Sequence, residues 1–433
     1  MGLFQLALLG ALASLGLTQD CPIFGPAYPE VTKPGPAAAF GAARTAIEDE
    51  IARGLAGGQL DKRTVFAIQV FSRHSDQTLY EQYHGPSIGP ETLYRIASTS
   101  KLLTVYTTLA ELGDRHWNDP VTKYVLELAG LKVQNPVYDV DWSEVTLGAL
   151  GSHMGGILRD YAVGDLAPYL QQAPPGLPTL NETEQIQCGA TEAFAKISRS
   201  FPIAPSYHTP AYSNVAFQLL SYAVEAITGT KFAALVDKNL LQPLNLARTF
   251  LTKPNDTDAF VASGWDWDFG DEAPAAGYYS SPNDLTKLGR SILRSALLPR
   301  ATTRHWLKPV THTTRAAFSL GRPWEIFRLA VPVSTSPSLS STTRVVDTYT
   351  KRGNIGGYQT LLALSPDHGT YSSLKEKLDG VWLAAAEQAG REEVGVYGGN
   401  PADLFIFELG QDGKAVAVEV PLLRKTFRRD GNT

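Results

Sequence analysis

The chain has 433 residues, 43% of them hydrophobic, with 38 Gly, 28 Pro and a formal net charge of −5. That is a globular composition, long enough for one large two-part unit or for two to three domains. Its 38 basic and 43 acidic residues contain no long basic run, so the electrostatic footprint of a nucleic-acid or anionic-membrane binder is missing.

The first residues read MGLFQLALLGALASLGLTQDCPIFG. The apolar stretch from Leu3 to Leu17 is too short and too poorly flanked for a good membrane span. A secretory signal over 1–18 is the better fit, which predicts an extracellular protein. A Pro-rich leader occupies 19–36. There are 2 cysteines, Cys21 and Cys188. An even count in an oxidising compartment predicts one bridge, which closes a long loop worth about 5 kcal/mol in the chain-entropy model. Two unpaired thiols are the alternative. Asn181 and Asn255 begin N-glycosylation sequons, Asn181-Glu182-Thr183 and Asn255-Asp256-Thr257.

Next come an Ala-rich amphipathic helix, AAFGAARTAIEDEIARGL, and two alternating stretches, VFAIQVFS and QTLYEQYH. Arg73-His74-Ser75-Asp76 between them predicts a β-hairpin. A short strand at Leu93 leads into YRIASTSKLL (94–103) and a helix that is apolar on nearly every side, which marks it as buried. From about Asp114 to about Ser263 the pattern is helix and loop. NVAFQLLSYAVEAITG stops at Gly229, FAALVDKNLLQPL follows, and SPNDLTKLGRSIL opens with capping chemistry. Strand patterns return at TRVVDTYTKRG and YQTLLALSP.

Strands at both ends and helices between them predict an α/β (α+β) fold. One antiparallel sheet is built from N- and C-terminal segments, flanked by helices, with an all-helical domain inserted. The sheet-containing domain is expected over 37–115 and 264–395, and the helical domain over 116–263. A short β-rich remnant is expected over 396–433.

Lys101 is out of place in a buried helix, because lysine is almost never fully buried without a partner. Ser98 lies three residues before it. Positions i and i+3 share a helix face, and burial lowers a lysine's pKa until it can serve as a base. A serine hydroxyl needs such a base to become a nucleophile. Ser98-Thr99-Ser100-Lys101 thus has the form S-x-x-K, a weak signal alone. Tyr212-Ser213-Asn214 stands just before a helix, and Lys351-Arg352-Gly353 on a strand. In that order these residues supply a nucleophile, proton carriers and a cation to lower a phenol's pKa or hold an anion.

With these three motifs the chain resembles the serine β-lactamase and penicillin-binding-protein family, and within it the class C β-lactamases and secreted fungal β-lactamase-like proteins. The motifs are similar to S-x-x-K, Y-x-N and K-T-G in the same order. VTLGALGSHMGGILRDY, LQPLNLARTF and AAGYYSSPNDLTKL also resemble family segments. The likeness covers about Ala37 to Pro366. It implies a β-lactamase/transpeptidase-like fold with Ser98 as acyl-accepting nucleophile. Lys101 and Tyr212 share the base and acid work, and Asn214 bonds substrate or Lys101. Lys351 tunes Tyr212 or binds a carboxylate. The oxyanion hole is formed by the backbone N–H groups of Ser98 and Asn354. Gly353, Gly356 and Gly357 let substrate backbone approach the strand closely.

Two departures follow. Arg352 stands where lactamases carry Thr or Ser. After Pro366 a helix-like stretch leaves little room for the family's further core strand.

Other signals are weaker. Gly85-Pro86-Ser87-Ile88-Gly89 fits the G-x-S-x-G elbow, but Pro90 and a strand-like run follow it, so it reads as a turn. The 8 His show no H-x-H or H-E-x-x-H spacing, and no metal site is expected. His153 reads as structural. GWDWDFG (264–270), with Trp265, reads either as the lining of an aromatic pocket at the site mouth or as loop packing, and we count Trp265 among the substrate-binding candidates. The expectation is a monomeric, cofactor-free secreted serine hydrolase or acyltransferase acting on a small ester, thioester or amide. A tailoring step in secondary metabolism fits that chemistry. The rivals are a penicillin hydrolase and a silent binding protein with the same pocket.

Overall fold

The computed structural model describes residues 38–58, 64–160, 197, 200–332, 343–367, 370–372, 406–409, 415–420 and 425–428. The predicted signal segment and leader, Cys21, Cys188 and Asn181 lie outside the described residues. Asn255 is exposed in a turn, where its Oδ1 accepts from the Thr257 N–H and hydroxyl, each at 3.1 Å.

Helix α1 (Ala38–Ala56) packs Ile51, with Ile47 and Leu55, against Phe66, Ile68, Val70 and Tyr80 of the first hairpin. That hairpin is β1 (Phe66–Ser72) and β2 (Tyr80–His84), antiparallel from Phe66↔His84 to Val70↔Tyr80. Strand β3 (Tyr94–Arg95) pairs with β4 (Tyr279–Ser280). A 3-10 turn, Ala97–Thr99, then feeds α2 (Ser100–Leu112). Every α2 residue from Ser100 to Leu109 is buried, and so is Leu112, so the helix is held by packing on all sides rather than by one apolar stripe.

Between Asp114 and Ser263 the described residues form helices, turns and isolated bridges. Helix α3 (Leu147–Gly151) is capped by Thr146, whose hydroxyl accepts the Ala149 N–H. Helix α4 (Val215–Thr228) ends at Gly229 with φ 66°, the left-handed stop for which glycine is suited. Helix α5 (Phe232–Val236) follows. Helix α6 (Pro282–Arg294) starts under the Ser281 cap, whose hydroxyl accepts the Asp284 N–H. No single helix among the described residues is long and apolar enough to cross a membrane.

The main sheet is an antiparallel meander in the order β5 (Thr311–His312), β6 (Phe318–Leu320), β7 (Glu325–Pro332), β8 (Thr343–Ile355) and β9 (Tyr358–Leu364). Strand β10 (Thr370–Ser372) pairs with β1 through Val70↔Ser372, giving the order β10-β1-β2. The strand for which the sequence leaves little room is therefore present, three residues long. Strand β10 thereby joins N- and C-terminal segments in one antiparallel ladder, as expected, and among the described residues this ladder is hydrogen-bonded separately from the β5–β9 meander. Strands β11 (Ile406–Leu409), β12 (Ala415–Val420) and β13 (Lys425–Arg428) form a separate antiparallel sheet in the expected β-rich tail. One apolar core joins α2, α4 and α6 to Phe71, Trp324 and Leu362, and it seats the N-terminus of α2 against β8.

Candidate active site

Ser98 is half-buried in the turn before α2, between fully buried neighbours. Ala97 carries φ 45°, an unfavourable value for a residue with a Cβ. The surroundings hold it there. The Ser100 hydroxyl donates to the Ala97 carbonyl at 2.6 Å and accepts the Tyr278 N–H at 3.2 Å. Backbone strain persists where neighbours over-determine it, and such residues cluster at functional positions.

Strand β8 presses on the same turn. A Cβ at Gly353 would stand 2.1 Å from the Ile96 carbonyl oxygen and 3.0 Å from the Ser98 nitrogen. Only glycine permits that approach, and it brings the strand edge beside the Ser98 N–H. At the end of β8, a Cβ on Gly356 (φ 53°) would stand 2.1 Å from the Ser263 oxygen, so the turn into β9 is packed against the loop before Trp265.

Two side chains converge on Ser98 Oγ. The Tyr212 hydroxyl donates to it at 2.7 Å, and Lys101 Nζ lies 3.1 Å away. Lys101 is fully buried, yet it is well supplied with acceptors. Its Nζ also donates to Asn214 Oδ1 at 2.5 Å and to the Ala275 carbonyl at 2.9 Å. Burial holds its pKa below the ordinary lysine value, against the raising effect of Tyr212. For Tyr212, burial pushes the phenol up, but the Lys101 and Lys351 ammonium groups, with the hydrogen bonds it shares with Lys101 and Ser98, outweigh it. The net direction is down. A lowered amine and a lowered phenol on one hydroxyl can take and give back its proton.

Lys351 is also fully buried. Its Nζ donates to Glu325 Oε1 at 2.6 Å and to the Arg352 carbonyl at 2.9 Å. Burial pulls its pKa down, but the charges of Glu325 and Tyr212 prevail and the net shift is upward. Lys351 therefore stays a cation, 5.6 Å from the centre of the Tyr212 ring. Its influence on the phenol is through this field. Arg352 is exposed, Gly353 buried and Asn354 exposed, as strand alternation requires. Asn354 is paired with Gln359 in the ladder.

His153 is buried and stacks on Tyr212, with ring centres 4.2 Å apart. Its Nδ1 accepts the Ser213 N–H at 3.1 Å. Burial, with the nearby cations Lys101, Lys351 and Arg159, holds its pKa well below the ordinary value, so the ring is neutral. It fixes Tyr212 and has no contact with Ser98 Oγ. Ser87 of the G-x-S-x-G string sits at φ 56° in a turn after β2 with no helix behind it. Among the described residues no group of His, Cys, Asp and Glu is arranged to hold a metal.

Trp265 corrects the expectation of a pocket wall. It is 1% exposed, packs edge-on against Tyr279 at 4.8 Å, and donates its indole N–H to Asp256 at 2.7 Å. The cause is Arg95, itself buried, whose guanidinium collects the carbonyls of Trp265, Trp267 and Gly277. That cluster pulls the loop inward and makes Trp265 part of the core.

Sequence reasoning missed two acids beside the lysines. Glu325 holds Lys351, and its Oε2 accepts the Arg352 N–H at 3.2 Å. Asp160 accepts from Asn214 Nδ2 at 2.8 Å. Asp160 lies inside the quoted VTLGALGSHMGGILRDY segment, but nothing in its spacing points to Asn214. Glu325 opens a strand that pairs with β8 through Glu325↔Thr350, one residue from Lys351.

A family model described as Beta-lactamase matches residues 52–381. The chain is 27% identical over 397 residues to a beta-lactamase-like protein of Arthroderma benhamiae, covering 82% of this chain and 64% of that one. It is 27% identical over 341 residues to a probable hydrolase of Phoma sp., covering 72% and 54%. The chain thus spans between about half and two-thirds of these relatives' lengths. Among solved structures, a D-stereospecific amidohydrolase from Streptomyces sp. superposes with TM-score 0.52 at 20% identity, over 71% of this chain and 87% of that one. A D-alanine carboxypeptidase from Burkholderia cenocepacia superposes with TM-score 0.55 at 18% identity, over 79% and 99%. These two likenesses show the β-lactamase/transpeptidase-like fold.

Proposed function

The chain belongs to the beta-lactamase family, and on that premise we propose that it is a serine hydrolase or acyltransferase working through an acyl-enzyme on Ser98. The observation that carries this reading is the convergence of Lys101 Nζ and Tyr212 Oη on one hydroxyl, Ser98 Oγ. In its neutral form Lys101 takes the Ser98 proton as Oγ attacks the acyl carbon. Tyr212 gives a proton to the departing alcohol, thiol or amine as that bond breaks. One proton leaves Ser98 and one reaches the leaving group, so the Lys101–Tyr212 pair need only pass a proton between its members to reset. Water or a second acceptor then takes the acyl group by the reverse sequence. The oxyanion is met by the Ser98 N–H and a β8 N–H at Asn354.

The proposed substrates are small esters, thioesters or amides. Two features support this over penicillins. Lys351 is already engaged by Glu325, and Arg352 replaces a short hydroxyl residue. The apolar N-terminal stretch supports an extracellular setting, and the acyl-transfer chemistry suits a tailoring step in secondary metabolism.

Labelling with a fluorescent fluorophosphonate tests the reading. The wild type should be labelled on Ser98 and Ser98→Ala should not, with the fold unchanged. Labelling that survives in Ser98→Ala at the wild-type rate removes Ser98 as the nucleophile.

A further inference from the structure

An asparagine amide has an accepting end and a donating end of nearly the same shape. At Asn214 the difference matters, because Lys101 Nζ sits against it at 2.5 Å. With Oδ1 toward the amine, Asn214 holds the lysine; with Nδ2 there instead, it repels an ammonium. The opposite end of the amide decides between them. Nδ2 donates to Asp160 Oδ1 at 2.8 Å, and an ionised carboxylate can only accept. Asp160 is itself well placed. The Arg159 carbonyl receives the N–H groups of Asn214 and Val215 at 2.8 and 3.2 Å, which ties residues 159 and 160 to the start of α4. Arg159 Nε lies 3.5 Å from Asp160 Oδ2, and the Asp160 side chain is 11% exposed.

We propose that Asp160 is a positioning residue that fixes the Asn214 amide and, through it, the place and charge of Lys101 during acylation of Ser98. This rests on the acyl-enzyme reading above. Asp160 touches neither Ser98 nor the reacting atoms. It acts through an acceptor-only group that admits one orientation of its neighbour.

The test is the pre-steady-state burst of a p-nitrophenyl ester, measured across pH for wild type, Asp160→Asn, Asp160→Glu, Asn214→Ala and the double variant Asp160→Asn with Asn214→Ala. Asp160→Asn keeps the shape but can present either end of an amide, so Asn214 is free to turn. The burst rate should fall about tenfold to a hundredfold, the range expected when a reacting group is misplaced by about an ångström. Asp160→Glu keeps an acceptor-only group and should stay closer to wild type than Asp160→Asn. In the Asn214→Ala background, Asp160→Asn should change the high-pH plateau of the rate, where Lys101 is neutral in every variant, by less than about twofold, because the residue through which it positions Lys101 is gone.

The pH profile adds a readout that a merely structural role leaves alone. Losing both the Oδ1 acceptor and a nearby negative charge disfavours the Lys101 ammonium, so its inflection should move to lower pH in Asp160→Asn. Multiplicative losses in the double variant, an unmoved inflection, or a wild-type burst rate in Asp160→Asn overturns the proposal while the acyl-enzyme reading stands. A wild type with no burst and no label on Ser98 overturns both.

Discussion

The Lys351 ammonium and the Glu325 carboxylate are 2.6 Å apart, with side chains 1% and 21% exposed. Their pairing keeps a permanent positive charge behind Tyr212. It also costs the site a free cation, since among the described residues Lys351 hydrogen-bonds otherwise to the Arg352 carbonyl.

Replacing Glu325 should therefore act first on stability. Removing one partner of a buried pair leaves an uncompensated charge, and Glu325→Ala should cost about 3 kcal/mol, the lower end of the range because the carboxylate is partly exposed. Glu325→Gln should cost less, since its amide oxygen can still accept. The pH dependence follows from Lys351, whose folded pKa is raised by Glu325. A raised lysine contributes stability that is fully present below its unfolded pKa and is lost as pH rises through the folded value. The stability gap between wild type and Glu325→Ala should then be full at pH 7 and shrink above the ordinary lysine value of 10.5. Urea denaturation at both ends of that range measures it. A gap that grows with pH contradicts the assignment.

Lys101 and Tyr212 should behave as one unit. Lys101→Ala and Tyr212→Phe should each slow acylation by several powers of ten, and the double variant should lose far less than the product of the two. In the wild type, the acylation rate should rise with pH as Lys101 becomes neutral. Burial lowers its pKa, so the inflection should lie below 10.5. Multiplying losses, or an inflection at or above the ordinary lysine value, would mean that another group is the base.

Gly353→Ala isolates the contact between β8 and the Ser98 turn. The added carbon would meet the Ile96 carbonyl oxygen at 2.1 Å, and that oxygen is backbone rather than a side chain that can swing aside. The strand must move away from Ser98. Overpacking of this kind costs about 1–3 kcal/mol, while an ångström of displacement at the oxyanion position costs about a hundredfold in rate. The variant should remain folded by circular dichroism yet label at about one-hundredth of the wild-type rate. Wild-type labelling would show that β8 does not shape the site.

The sequence made the local part of this arrangement readable and hid the distant part. The first hairpin and the α4 stop at Gly229 follow from alternation and glycine chemistry within a few residues. Lys101 is conspicuous because a charge interrupts an apolar helix, and Ser98 lies one helical turn away. Glu325 and Asp160 carry no such signal. Glu325 meets Lys351 only through the β7–β8 register, and Asp160 meets Asn214 across 54 positions of chain. Trp265 misleads for a related reason. The string GWDWDFG allows a pocket wall as readily as loop packing, whereas the burial of Trp265 is imposed by Arg95 from 170 positions away.

Substrate preference follows from the same strand. Alternation along β8 turns Lys351 and Gly353 inward and leaves Arg352 exposed. In the family pattern that this sequence resembles, a Thr or Ser hydroxyl at the position of Arg352 joins the lysine in gripping the carboxylate of a bicyclic antibiotic. Here the hydroxyl is replaced by a guanidinium that cannot copy so short a contact. The lysine is already bonded to Glu325. A missing polar contact in a buried site costs about 1–3 kcal/mol, or roughly one to two powers of ten. The groups around Ser98 that we propose carry out acyl transfer lose nothing by this, so an activated ester that carries no carboxylate should react without penalty. The expected result is a higher kcat/KM for a p-nitrophenyl short-chain ester than for a chromogenic cephalosporin, measured on one preparation. Glu325→Gln sharpens the comparison, because loosening the grip on Lys351 should narrow the gap in favour of the cephalosporin. If the wild type instead prefers the cephalosporin by more than about tenfold, Arg352 and the Lys351–Glu325 pair are no obstacle, and penicillin hydrolysis becomes the better account of the site.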